Sequence, residues 1–457
     1  MTMKFKARFV LMFLALLVPR LAGGEEKPSA SAELQAFVTT ALLNNPELKS
    51  SESRWRMFAS KARQTGSLED PMLMIKAQNM PVREPFVFNK DSQSAKVVGI
   101  SQQIPFWGKR GLREKMAMSE AESYRWAYEE RKLELARMVK ESCYQLWETD
   151  REIDAVDKSL QLMNDLVQWT EVKYRVGQSM QQDVHKAGLE KSKMIEMKIA
   201  LRQQRKSLEA KLNYLLYRPL ATPVERMSGF TLPKLIRSAD ELNRVALEHR
   251  PQLRSLGSLV EKGEAGRRLA RKEFYPDFNL SLEYMIRQPV TGDMGTDAGD
   301  DMFSAGVTFN LPVWREKRQA MVAESMAETA MSTDELNALK NSVALTIYQD
   351  VADLERLAGT VDLYKNSMIP QAERSVEASL IAYRVSKADF GMVLDSKIAL
   401  WNYQRELYRM EADYLMKMAE LEATTGIDLT NAAALSPAPE KSEKTAKGID
   451  RTSGTLP

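Results

Sequence analysis

Val139, Leu146, Ile153, Leu160, Val167 and Tyr174 recur at every seventh position, with Val156 and Met163 between them. A seven-residue apolar spacing keeps one seam on one side of a helix and marks a coiled coil rather than a globular helix face. Between Lys109 and Arg175 there is no proline and only Gly111 as a breaker. The pattern therefore predicts one helix over 109–176, a rod of roughly 100 Å at 1.5 Å per residue. A second stripe, Leu336, Val343, Ile347, Leu354, Leu357, Val361 and Tyr364, predicts another rod over 315–384. Pro370 interrupts it where the first rod has Gln161. A proline in a helix interior kinks it, so Pro370 is read as a hinge and the rods as inequivalent. Amphipathic return helices are expected over 181–217 and 389–424, and a helix ahead of each rod, ending near Gly66 and near Lys272.

The polar and apolar positions switch to period two between those leading helices and the rods. Phe278, Leu280, Leu282, Tyr284 and Ile286 alternate with Asn279, Ser281, Glu283 and Arg287. Phe303, Ala305, Val307, Phe309 and Leu311 alternate with Ser304, Gly306, Thr308 and Asn310. Such strands fit a membrane barrel with a wet lumen. The hairpin at 71–104 is poorer, with Lys76 and Gln78 breaking the pattern. Long polar loops, Pro81 to Ser94 and Gln288 to Asp301, join the strands of each hairpin.

The order of these elements is written twice. Asn45-Pro46-Glu47-Leu48 answers to Arg250-Pro251-Gln252-Leu253, and Asp70-Pro71 to Tyr275-Pro276. Ile104-Pro105-Phe106-Trp107 with Lys109-Arg110 answers to Leu311-Pro312-Val313-Trp314 with Lys317-Arg318, and Tyr174-Arg175-Val176-Gly177 to Tyr383-Arg384-Val385-Ser386. Self-similarity of this kind announces a repeat architecture. The first repeat runs over 25–217 with its hairpin at 71–104, and the second over 238–428 with its hairpin at 276–312. A linker rich in Pro and Thr, 218–237, joins them. Four strands cannot close a barrel, since about eight is the smallest that spans a membrane. Unpaired sheet edges and rod seams both demand further copies of the chain.

Residues 1–24 read as a signal peptide, with Lys4, Lys6 and Arg8 ahead of an apolar run and Ala22-Gly23-Gly24 at its end. No later run is long and apolar enough for a spanning helix, so membrane insertion requires a barrel. The tail 429–457 reads as disordered. Lys+Arg 65 against Asp+Glu 62 gives no bulk pull toward nucleic acid. Cys143, His185 and His249 are the only residues of their types, which leaves little for Cys/His metal sites and no intrachain disulfide. No phosphate loop or serine elbow is present, which points away from an enzyme and from a bound cofactor. The 26 methionines allow a copper or silver reading, but most sit at helical spacings as ordinary helix formers. The acidic stretch Asp293, Asp297, Asp300 and Asp301 reads as a cation site or as a solvated loop.

With these motifs in place, the mature chain to about Asp428 resembles the TolC-like outer-membrane efflux proteins. The fold class this implies is mainly α with a membrane β-barrel contribution. Long antiparallel helices would form an α-barrel tunnel, and a homotrimer would pool four strands per chain into a twelve-stranded barrel in outer-membrane lipid. The implied partners are a periplasmic adaptor and an inner-membrane pump of the RND type. The Asp70-Pro71 strand start and the Pro105-to-Arg110 junction look most like the branch associated with heavy-metal pumps. The competing reading is a periplasmic coiled-coil adaptor without a barrel.

The resemblance also implies roles for individual residues. Asp183 and Tyr383 match a carboxylate and a tyrosine that latch the entrance; the alternatives are a helix cap and a packed seam residue. Asp395 matches an acidic ring position at the constriction, or is a plain exposed helix charge. Met392 and Ala388 depart from the second acidic position and from an arginine of the family's other latch. Arg175, Val176, Gly177, Arg384, Val385 and Ser386 match adaptor-docking turns, or are simple helix corners. Gly177 permits a left-handed turn. Trp107, Trp314, Tyr275 and Phe274 are read as an interface girdle or as packing where strands meet rods.

Overall fold

A computed structural model describes residues 30–85, 87–290, 299–385 and 387–429 of the 457. The expected signal peptide, the tail beyond Leu429 and Asp293 and Asp297 lie outside the described residues. The first repeat contains α1 (Ala30–Asn44), α2 (Pro46–Thr65), β1 (Met72–Gln78), β2 (Ala95–Ile104), α3 (Lys109–Arg175) and α4 (Gln181–Leu215). The second contains α5 (Ala239–His249), α6 (Pro251–Lys272), β3 (Phe278–Arg287), β4 (Met302–Phe309), α7 (Arg315–Leu363), α8 (Ile369–Arg384) and α9 (Phe390–Thr425).

The expected single leading helix is in each repeat a pair, broken at Asn45-Pro46 and at Arg250-Pro251. Proline has no N–H to donate and drives the residue before it out of helical conformation. Asn45 accordingly sits at φ −59, ψ 123 and Arg250 at φ −64, ψ 120. Asn45 Oδ1 then accepts from the backbone N–H of Glu47 (2.9 Å) and Leu48 (3.2 Å), and its Nδ2 donates to the Leu215 carbonyl at 3.2 Å. One amide thus caps α2 and ties it to the end of α4.

The middle of the molecule is α3. Its N-terminal half lies between α2 and α6, with α7 beyond α6; its C-terminal half lies between α4 and α9, with α7 and α8 beyond α9. The upper helix order α2-α3-α6-α7 runs beside the sheet order β1-β2-β3-β4. The core is accordingly several clusters strung along the rods instead of one. Val139, Leu146 and Ile153 are fully enclosed, as are Val343, Ile347, Leu354, Leu357 and Val361 on the second rod. Tyr174, the last of the seven-residue series, is exposed.

The second rod does not break at Pro370. It widens into a π-helical turn over Tyr364–Met368, where Ile369 N–H donates to the Tyr364 carbonyl, and Pro370 opens α8 where its missing N–H is tolerated. Gln161 lies inside the uninterrupted α3. The segment 218–237, expected as a plain linker, is a packed strap. Val224 is buried, and the Phe230 ring meets Tyr144 and Trp147 edge-on at 5.0 and 5.8 Å.

The sheet is inside-out relative to a soluble one. In β3, Leu280, Leu282, Tyr284 and Ile286 are exposed while Asn279, Ser281 and Glu283 are half-buried and Arg287 is buried. The antiparallel register places Val98 and Ile100 beside Tyr284 and Leu282, and Leu73 and Ile75 beside Ile100 and Val98, extending one exposed apolar face. Lys76 and Gln78 fall on the other face, so they continue the alternation instead of breaking it. Lys76 Nζ reaches over Gly99 to Glu283 Oε2 at 3.1 Å. A Cβ on Gly99 would lie 3.1 Å from Glu283 Cγ, so this crossing depends on glycine. β1 and β4 are left as free edges.

Candidate functional site

The rods end in two matched turns. After Arg175 the chain reverses through Gly177 at φ 73, with Gly177 N–H donating to the Tyr174 carbonyl (3.0 Å) and Gln178 N–H to Lys173 (2.8 Å). That double closure is the Schellman arrangement, which requires the left-handed conformation glycine adopts without strain. At the second tip Lys387 N–H donates to the Ala382 carbonyl at 2.8 Å, the same long closure; Ser386 itself lies outside the described residues. Arg175, Val176, Arg384 and Val385 are exposed.

Within the protomer Asp183 and Tyr383 are not hydrogen-bonded to one another. Asp183 Oδ2 accepts from Ser179 Oγ (2.8 Å) and from Met180 N–H (3.3 Å), closing the first turn of α4. Tyr383 is 4% exposed and its hydroxyl has no hydrogen-bond partner. Its ring meets Phe390 edge-on at 6.0 Å. Asp395 is exposed on α9. Met392 is exposed too, and its N–H donates to Asp389 Oδ1 at 2.8 Å. The two return helices therefore start with a carboxylate on different residues, Asp183 three positions in and Asp389 at the cap.

At the opposite end of the rods lies a buried ion cluster whose pairing sequence reasoning missed. Lys109 is 1% exposed, and its Nζ meets Glu273 Oε2 (3.0 Å), Asp277 Oδ1 (3.0 Å) and the Tyr275 carbonyl (2.9 Å). Asp277 Oδ1 also accepts from Phe106 N–H at 2.8 Å. The cluster pins the start of α3 to the α6–β3 corner, joining the two repeats. Phe106 stacks on Tyr275 with ring centroids 4.6 Å apart. Trp107 meets Phe106 and Phe278 edge-on at 5.4 and 5.6 Å, yet it and Trp314 are both 73% exposed, so much of each ring faces outward where strands meet rods. The one available sequence signal was the Lys109-Arg110 junction beside Tyr275-Pro276, with no indication of which acids would face it.

Between the two ends, Glu148 and Glu152 of α3 face Glu406 and Asp413 of α9, with Arg405 and Arg409 beside them. Burial, then the neighbouring carboxylates Glu152 and Asp413, push Glu148 up to about 7, against the pull of Arg409. Asp301 does not stand free in its acidic loop: Tyr284 Oη donates to it at 2.6 Å and Arg287 N–H at 3.0 Å. Among the described residues no group of three or more His, Cys, Asp or Glu side chains could hold a metal ion. Among the same residues no helix is long and apolar enough to cross a membrane.

Residues 37–216 and 242–427 match the family model described as outer membrane efflux protein, one match per repeat. The cobalt-zinc-cadmium resistance protein CzcC of Cupriavidus metallidurans is 24% identical over 193 residues, 42% of this chain and 42% of that protein. The alignment thus spans less than half of that relative. Among solved structures, the outer membrane protein VceC from Vibrio cholerae superposes with a TM-score of 0.73 at 18% identity, covering 86% of this chain and 96% of that one. CusC superposes at 0.72 with 12% identity, covering 92% of this chain and 99% of that one.

Proposed function

This chain belongs to the outer membrane efflux protein family, and from that premise we propose that it is the exit duct of a tripartite efflux system. Three protomers join β4 to β1 and the outer faces of α7 and α8 to those of α2 and α4. They close a twelve-stranded barrel in outer-membrane lipid over a helical tunnel. The arrangement is a conduit: it needs no nucleophile and no resident cofactor, and substrate moves through water.

One observation carries the reading. In β3 the apolar row is exposed and the polar row half-buried, and Leu73, Ile75, Val98 and Ile100 continue that exposed face across β1 and β2, which is the order a lipid-facing barrel with a wet lumen requires. The paired free edges of sheet and helices supply the reason for assembly. The tip turns Arg175-Val176-Gly177 and Arg384-Val385-Ser386 dock a periplasmic adaptor, which bridges to an RND-type inner-membrane pump. Asp395, exposed on α9, lines the constriction as a ring of three carboxylates, and Asp183 and Tyr383 stand at the entrance gate. The π-helical turn before Pro370 is the hinge on which the second rod swings. The name of the relative CzcC makes divalent heavy-metal cations the first substrate class to try.

Membrane fractionation and reconstitution test this. A heat-modifiable trimer in outer membranes that conducts ions in planar bilayers is the expected result, together with loss of cobalt, zinc or cadmium tolerance on deletion. A soluble monomer in the periplasm would overturn the duct and favour a scaffold.

A further inference from the structure

At the tips the two rods exchange cations and rings. Lys173 of α3 holds its Nζ 4.0 Å from the centre of the Tyr383 ring on α8 and donates to the Tyr383 carbonyl. Arg384 of α8 returns the contact, its guanidinium carbon 4.8 Å from the centre of the Trp169 ring on α3. Trp169 and Lys173 are one helical turn apart and share a face of α3. Tyr383 and Arg384 are consecutive, so a single step of α8 meets both. A positive group over a ring face is attracted by the ring quadrupole, and the attraction needs no hydroxyl. This fits the two side chains a hydrogen-bonded latch would use: the Tyr383 hydroxyl is buried without a partner, and Asp183 is engaged at the start of its own helix.

We propose that Lys173, Tyr383, Arg384 and Trp169 form a crossed cation–π clasp that holds the two helical hairpins of one protomer together at the entrance, and that its release is a step in opening. The proposal rests on the duct reading. It assigns closure to Lys173, which no motif in the chain marked, and to the ring of Tyr383 instead of its hydroxyl. Arg384 acquires a task inside the protomer besides any contact with an adaptor.

The test uses the full-length trimer in planar lipid bilayers without an adaptor, which removes docking from the readout. Lys173→Met and Arg384→Met keep the aliphatic stems and drop the charges. Each is expected to raise open probability roughly fivefold, and the double variant more. Lys173→Arg keeps a cation over the ring and behaves as wild type, and Tyr383→Phe keeps the clasp. Methionine variants that open no more than wild type overturn the clasp. So does a Tyr383→Phe channel as open as Lys173→Met, because the hydroxyl would then hold the entrance. Should a methionine variant fail to assemble, Trp169→Leu removes the same contact from the other rod, and wild-type opening there also overturns the proposal. A wild-type protein that forms no pores sinks the duct reading itself, an outcome distinct from conducting pores that ignore Lys173.

Discussion

The two ends of α3 are fastened by different physics. At the sheet end, a lysine with almost no exposure is held by two carboxylates and a carbonyl at about 3 Å. At the tip end, the charged groups that cross between the rods sit over aromatic rings, Lys173 over Tyr383 with a hydrogen bond to its carbonyl and Arg384 over Trp169, beside a small apolar cluster and exposed turns. A buried, fully paired ion cluster has one geometry, since any displacement leaves a charge without a partner in low dielectric. Ring faces tolerate sliding, and each such contact is weak. On the proposed clasp, one end of the rod is a fixed mount and the other a releasable catch, which is the arrangement the duct reading expects of its inner end.

The comparison breaks most directly at Lys109. Lys109→Met removes the buried ammonium between Glu273 and Asp277, leaving Glu273 to Arg113 at 3.4 Å and Asp277 to the Phe106 N–H, and is expected to destabilise the protein by about 2–3 kcal/mol. The loss is read as a lower temperature for trimer dissociation on heat-modifiability gels and a lower denaturant midpoint. Lys173→Met at the tip is expected to leave both unchanged within error while altering conductance. Equal destabilisation by the two variants would erase the distinction between mount and catch.

Glu148 sharpens the picture between the two ends. Its folded-state value near 7 lies above the ordinary 4.5, so the folded state keeps a proton that the unfolded chain releases. Below about pH 4.5 both states are protonated and the shift has no effect. As pH rises from there to about 7, stability falls by about 2–3 kcal/mol, and above pH 7 it levels off. Glu148→Gln is expected to match wild type at pH 4.5 and to exceed it at pH 8 by that amount in urea titration. A wild-type slope that survives in the variant would move the effect to Glu152 or Asp413.

Much of this fold was readable from pattern, and the exceptions share a cause. The limits of α3 followed from the absence of proline and the seven-residue seam, both local features. The strands follow from period two; Lys76 and Gln78 break it only as long as the pairing register, which sets them on the face opposite Leu73 and Ile75, is unknown. The break at Asn45-Pro46 was visible as a repeated motif before its meaning as a helix junction was clear. The contacts that fasten the ends were not readable at all. Lys109 meets Glu273 across 164 residues and Lys173 meets Tyr383 across 210, and only the packing of one repeat against the other selects those partners. The expected Asp183–Tyr383 pair was likewise a match of positions, whereas the protomer spends Asp183 on its own helix start.

Two glycines give the smallest effects and the sharpest control, because they sit at the two ends of the same helix. Gly111 lies in the second residue pair of α3 in helical conformation, and a Cβ there would meet nothing within 4 Å. Gly177 also has open space around it, but its φ of 73 is the left-handed region that an L side chain adopts only with strain. Space is therefore equal and backbone conformation is the only variable. Gly111→Ala is expected to stabilise by about 0.5–1 kcal/mol by reducing the freedom of the unfolded chain. Gly177→Ala is expected to cost about 1 kcal/mol and to loosen the tip turn, read as faster amide exchange at Gln178, whose N–H closes the turn onto Lys173. Because Lys173 is the cation of the clasp, the same change should raise open probability slightly. If Gly111→Ala destabilises instead, a neighbouring protomer packs against that position, and the mount at the sheet end extends across the subunit boundary.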